Sequence, residues 1–345
     1  MSSICTDFEM GVQKYLKSPP VLALNSYNNA LLLICRLLEL KPGDIVAASP
    51  MACLATTQPF AFLGIKFIWC DINPRTGTLC PDSLDHALKA YKVKAVIHNH
   101  FAGYVGDIDS ITVVAEKYNV PVINDCIEAF GTRYKGSTNS FFNAQFTIYS
   151  GNPVRFLNTV DGALVIIKDA ELRAHAVKMR DVGIDRSTFR DHLGEISSES
   201  DVAMTGISAT QNSIFSSLGL SQLKEIDSLL SCHQGNANSL AEFVDSPMVS
   251  ACSEDPNYWV LGGFVDNKKQ FIEFMRLNRI SVSSIHIRND LYTVFSDSIS
   301  LPLGGVEEFS RKFVALPCGW WLTEADVGQI KESLKKWSRS SGKNV

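Results

Sequence analysis

Apolar positions recur along the first two thirds of the chain in two alternating periods. Residues 28–40 carry Ala30, Leu31, Leu33, Ile34, Leu37 and Leu38 at helical spacing and run into the turn signal Lys41-Pro42-Gly43-Asp44. Short apolar runs at 45–48, 66–71, 95–98, 121–125, 145–149 and 163–167 predict strands. Segments 54–63, 81–90, 108–118 and 170–180 predict helices between them. Strands separated by helices of roughly ten residues require right-handed crossovers, hence a mostly parallel sheet covered on both faces. Ligands of such sheets sit beyond the carboxyl ends of the strands. That gathers the loops after Ala48, Asp71, His98, Asp125 and Tyr149 around one site.

Residues 197–201 form a polar loop, and 214–231 predicts one long helix with Leu218, Leu220, Leu223, Ile226, Leu229 and Leu230 on its apolar side. Beyond about residue 245 the pattern changes: 258–265, 268–278, 281–286 and 323–337 read as strand, helix, strand, helix. The expectation is an α/β chain with a large domain over 1–245 and a smaller α+β domain over 246–345.

Composition narrows the function classes. The chain has 345 residues, 46% of them apolar and 20% charged, which suits a soluble protein with a sizeable core. Its 32 basic and 36 acidic side chains leave a net charge of -4, so no basic surplus exists to neutralise nucleic-acid phosphates. The longest apolar runs, 30–35 and 51–55, fall short of the ~20 residues of a membrane-spanning helix. The N-terminus lacks a basic region followed by an apolar one. Nine scattered cysteines without a CxxC read as reduced thiols of a cytoplasmic protein, with no zinc site.

Four places carry candidate chemistry. Asp125 ends an apolar strand, where a carboxylate either pairs with a buried cationic ring nitrogen or caps a helix. His98 and His100 point the same way on a strand, as metal ligands or as loop polar groups, and no third ligand is evident nearby. The loop 149–163 offers Ser150 and Arg155 to an anion, or is a plain surface loop. His286 and Arg288 share one side of a predicted strand, as an anion grip, unless Arg288 pairs with Asp290.

These segments, in this order, resemble the DegT/DnrJ/EryC1/StrS family over residues 25–337. The resemblance is carried by LLELKPGDIV at 37–46, HFAGYVGDID at 100–109, VINDCIEAFGTRYK at 122–135 and VGIDR at 182–186. It implies a fold-type-I pyridoxal-phosphate transferase architecture and a role in nucleotide-sugar and surface-polysaccharide biosynthesis. It further implies that Asp125 holds the pyridine nitrogen of the coenzyme, with Glu128 beside the ring where a glutamine is usual. Ser26, Tyr27 and Asn28 fall on the phosphate-binding "S-G-T", and Ser150 on a second phosphate contact. A homodimer with its active site at the interface is implied as well.

The chain departs from that pattern at its most reactive position. The family's Schiff-base lysine falls on Arg155, or on Asn152 in a gap-shifted register. Neither is a competent amine nucleophile, because a guanidinium stays protonated and delocalised and an amide is not basic. Tyr27 and Asn28 stand for Gly and Thr, Cys53 for a ring-stacking aromatic, and GISATQ at 206–211 for an aromatic–Asn–aromatic–Arg run. Pyridoxal or pyridoxamine phosphate is therefore expected to be noncovalent if it is bound. Three outcomes stand open. One is a non-catalytic protein that binds a nucleotide sugar or partners an active homologue. Another is a lysine-less, pyridoxamine-dependent sugar dehydratase with His100 as its acid–base group. The third is a site for a different anionic ligand under Arg155.

Overall fold

Local chemistry starts the crossover helices. The Ser26 hydroxyl accepts from the Asn29 N–H, and the carboxylates of Asp107 and Asp169 do the same for Ser110 and Leu172, so each helix begins with a satisfied donor. The computed structural model describes residues 3–135, 142–251 and 256–340. The chain opens with α1 (Ser3–Leu16) and β1 (Val21–Leu24), elements not expected from the sequence. It continues through α2 (Tyr27–Leu37), β2 (Ile45–Ala48), α3 (Leu54–Phe62), β3 (Lys66–Trp69), α4 (Pro81–Ala90), β4 (Val93–Asn99), α5 (Ile108–Glu116) and β5 (Val122–Asp125). Then come β6 (Phe146–Ser150), β7 (Ala163–Ile167) and α6 (Ala170–Met179).

The strands form one eight-stranded sheet in the order β1-β7-β6-β5-β4-β2-β3-β9, where β9 is Ile299–Ser300. Neighbours from β6 to β9 pair in parallel, and β7 alone runs against both of its neighbours. The expected α/β class with a mostly parallel sheet is what the chain adopts. Alternate side chains feed two apolar layers, as period-two geometry requires. Leu22, Leu24, Phe67, Trp69, Val165 and Ile167 pack on one face. Val21, Ala23, Ile68, Leu164 and Ile166 pack on the other. The C-terminal part adds β8 (Leu261–Phe264), α9 (Lys268–Leu277), α10 (Gly304–Lys312), β10 (Phe313–Leu316) and α11 (Glu324–Ser340), with β8 and β10 antiparallel. Because β9 lies on the edge of the large sheet, the segment beyond residue 245 is stitched to the segment before it.

Two expectations are corrected. The single helix over 214–231 is two, α7 (Ser213–Leu223) and α8 (Ile226–Ala241). Gly219 of α7 lies so close to Phe8 that a Cβ would stand 2.4 Å from its ring, so α7 is fixed on α1, whereas α8 turns off to pack on α11. Residues 281–286 form no strand: Ile285 adopts the left-handed region (φ 59°), and pairing is limited to one bridge between Ser283 and Ala315. No described helix is long and apolar enough to cross a membrane. The described cysteines are free thiols, and Cys252 lies outside the described residues.

Candidate functional site

The carboxyl ends of β4, β5 and β6 deliver Asn99, Asp125 and Ser150 to one edge of the sheet. Asp125 is 1% exposed and accepts from three donors. Its Oδ1 accepts from the Tyr27 hydroxyl at 2.7 Å and the Ile127 N–H at 3.0 Å, and its Oδ2 from the Thr56 hydroxyl at 2.7 Å. Burial pushes the Asp125 carboxyl above its ordinary range, against the pull of these three donors. Burial and the neighbouring Asp125 raise the Tyr27 phenol well above its ordinary value, so the phenol keeps its proton and donates.

A cavity of about 410 Å³ opens in front of this pair, bordered by Ser26, Tyr27, Asn28, Ser150, Asn152 and Arg155 among others. Asp125 does not border it, whereas Tyr27 does. The Ser26 hydroxyl accepts from Asn29 N at 3.1 Å and the Ser150 hydroxyl from Asn152 N at 3.2 Å. Each hydroxyl proton is thereby left for an acceptor in the cavity. The N-terminus of α2 supplies positive dipole at the same place. Among the described residues bordering the cavity there is no lysine, and Arg155 is the cation.

Arg155 is held from two sides. Its Nη1 lies 3.4 Å from Glu128 Oε1, and its guanidinium sits 4.5 Å from the centre of the Trp259 ring. The Trp259 indole is fixed in turn by its N–H on Val154 O at 2.7 Å. Glu128 Oε1 also accepts from His286 Nε2 at 2.8 Å, and Oε2 accepts from Ala102 N at 2.7 Å. Burial works to raise the Glu128 carboxyl, but His286 and Arg155 outweigh it and hold the group below its usual range. An ionised carboxylate only accepts, so His286 Nε2 carries the proton. Asn257 locks the segment behind Glu128 by donating to Glu128 O and Phe130 O. Arg155 Nε is buried without a partner, although the side chain is only 7% exposed. On its far side Arg155 borders a second cavity of about 700 Å³, walled by Trp259, Trp320, Trp321 and His233.

The structure thus brings Ser26, Asn28, Ser150 and Arg155 around one cavity, with Glu128 and His286 behind Arg155. It corrects two expectations. His100 is no acid–base group of the cleft: it is 1% exposed, accepts from Gly106 N at Nδ1 (3.0 Å) and donates from Nε2 to Asn124 (2.9 Å). Burial, reinforced by His98, lowers its pKa well below the ordinary value. Arg288 shares no strand face with His286, because residues 281–286 are not a strand. Its guanidinium is matched by Asp290 through two bonds of 3.0 and 2.6 Å. Sequence reasoning missed Thr56, Trp259 and Asn257, each an ordinary residue until the fold sets it against Asp125, Arg155 or Glu128.

The residues do not fit a pyridine coenzyme placed as the resemblance implies. The carboxylate meant for the ring nitrogen already accepts from Tyr27 and Thr56 and does not border the cavity, whereas Tyr27 does. Arg155 offers a guanidinium and no amine to the same cavity.

Comparison with known proteins gives the kinship. The profile of the DegT/DnrJ/EryC1/StrS aminotransferase family matches residues 3–335. The UDP-2-acetamido-2-deoxy-3-oxo-D-glucuronate aminotransferase of Pseudomonas aeruginosa is 29% identical over 212 residues, 61% of this chain and 58% of that protein. A UDP-4-amino-4,6-dideoxy-N-acetyl-beta-L-altrosamine transaminase of Campylobacter jejuni is 28% identical over 223 residues, 64% of this chain and 56% of that protein. The match thus spans a little over half the length of these two relatives. The crystal structure of the sugar aminotransferase CalS13 from Micromonospora echinospora superposes with a TM-score of 0.86 at 25% identity, covering 97% of this chain and 92% of that one.

Proposed function

The chain belongs to the DegT/DnrJ/EryC1/StrS aminotransferase family, and from that premise we propose that it binds a nucleotide-sugar-class ligand in the cleft without transaminating it. Arg155 carries this reading. Transamination needs an amine that can shed its proton and add to a carbonyl carbon. The guanidinium at the cleft stays protonated, paired with Glu128 and stacked on Trp259. It suits an anionic group, and relatives named for UDP-sugar substrates support the ligand class. A sugar dehydration in place of transamination would need an acid–base group in the cleft, and His100 is spent on Asn124 and Gly106.

The proposal includes a cytoplasmic homodimer serving surface-polysaccharide synthesis. Exposed apolar side chains at Val154, Trp320 and Trp321, which line the second cavity on the far side of Arg155, support a covering partner. Calorimetry with a UDP-hexose should give saturable binding that Arg155→Ala weakens at least tenfold. Borohydride treatment after incubation with pyridoxal phosphate should leave no pyridoxyl-lysine in any cleft peptide. Amino transfer from glutamate to a keto-sugar nucleotide at measurable turnover would overturn the reading, and light scattering of a monomer would remove its dimer.

A further inference from the structure

We infer that Tyr27 stands in for the coenzyme's ring, so that the cleft accepts a phosphate-sized oxyanion at Ser26, Ser150 and Arg155 and is closed to pyridoxal and pyridoxamine phosphate. A pyridinium held by a protein is a flat six-membered ring that presents one N–H to a buried carboxylate. Tyr27 presents a flat six-membered ring with one O–H to a buried carboxylate, at 2.7 Å. The phenol borders the cavity and Asp125 does not, so a ring entering from the cavity meets Tyr27 before it meets the acid. Displacing the phenol would strip Asp125 Oδ1 of its hydroxyl donor and drive a ring that is 6% exposed into water. A second hydroxyl, from Thr56, takes one acceptor position of the other oxygen.

What remains in front of Tyr27 is an anion receptor. The Ser26 and Ser150 hydroxyls have accepted their backbone N–H groups and hold free protons. The Arg155 guanidinium borders the cavity with Nε unpartnered and a side chain 7% exposed, a buried cation with donor capacity to spare. Asp161 at the border adds one opposing charge.

Calorimetry of the full chain in phosphate-free buffer, with inorganic phosphate and with pyridoxamine phosphate, tests this directly. Wild type should bind phosphate, Arg155→Met should weaken it at least tenfold, and pyridoxamine phosphate should bind less than fivefold tighter than phosphate. Tyr27→Phe keeps the ring and should keep that ratio. Tyr27→Gly vacates the place and should favour pyridoxamine phosphate by tenfold or more. With Arg155→Lys added to it, borohydride should fix pyridoxal phosphate to residue 155, and Arg155→Lys alone should not be labelled. Three results would each overturn the inference: wild type preferring pyridoxamine phosphate by fivefold or more, wild type failing to bind millimolar phosphate, or Arg155→Lys alone becoming labelled. If Tyr27→Gly does not fold, the wild-type and Tyr27→Phe ratios and the single Arg155→Lys result decide. A nucleotide sugar that failed to bind would remove the preceding proposal and leave this one standing, since its probes are phosphate and the coenzyme alone.

Discussion

Replacing Glu128 by Gln removes one charge and keeps the shape. Its carboxylate takes the Ala102 N–H on one oxygen and both His286 and Arg155 on the other. A glutamine can still accept from Ala102, but its NH₂ then faces two donors, and Arg155 is left buried with its cation unpaired. Opening a buried pair from one side costs about 3–5 kcal/mol. The low end applies here: Arg155 borders two cavities that admit water, and the Trp259 face still holds the cation. At ~2.1 cal/mol/K per residue, a chain of 345 residues has an unfolding entropy of about 0.7 kcal/mol/K, so 3 kcal/mol is about 4 °C in Tm. The pH dependence has a definite sign. The Glu128 carboxyl is held below its ordinary value, so its contribution is present above the ordinary glutamate pKa of about 4.3 and is lost as pH falls through the depressed folded value. Thermal unfolding followed by circular dichroism should therefore show Glu128→Gln about 4 °C below wild type at pH 7, with the gap narrowing below about pH 4. Equal melting at pH 7, or a gap unchanged across that range, would refute the picture of Glu128 as the counter-charge of Arg155.

Three further outcomes follow from contacts around the site. Tyr27→Phe leaves Asp125 with one donor fewer and should lose about 1–3 kcal/mol. Because burial already raises the Asp125 carboxyl and the variant raises it further, the deficit in Tm should widen as pH rises above the ordinary aspartate range. Gly103→Ala puts a side chain at φ 84°, with its Cβ 2.0 Å from Asn257 Oδ1, and should destabilise by about 2–4 kcal/mol in thermal melts while releasing the Asn257 hold on Glu128. Asn289→Ala removes the amide bonds to Pro50 O and Ala52 O. The Asn289 backbone N–H still serves Pro50 O, so the loss should be about 1–2 kcal/mol, read as faster proteolysis of the loop around Cys53.

The sequence alone determined the layered α/β scaffold and the place of its cleft. Strand and helix periods are local, and once short apolar runs alternate with helices, chain geometry leaves one arrangement in which loops gather at the carboxyl edge. That geometry places the loop of Ser150 and Arg155 at the cleft, the family resemblance adds Ser26 and Asn28, and all four meet at one cavity. Local signals failed where partners decide. The run Val21–Leu24 is not expected as a strand, and its antiparallel pairing with β7 makes it one. The stretch 214–231 reads as one helix until α1 and α11 pull its halves apart. Ile285 in the left-handed region turns a predicted strand into a loop and sends His286 to Glu128. Only the tertiary structure decided what each site residue touches. Tyr27 and Asp125 are 98 positions apart, and Glu128 and His286 are 158 apart. A pattern read over a dozen residues reports which face a side chain takes, while its partner across the fold is chosen by packing and by the demand that every buried polar group be satisfied.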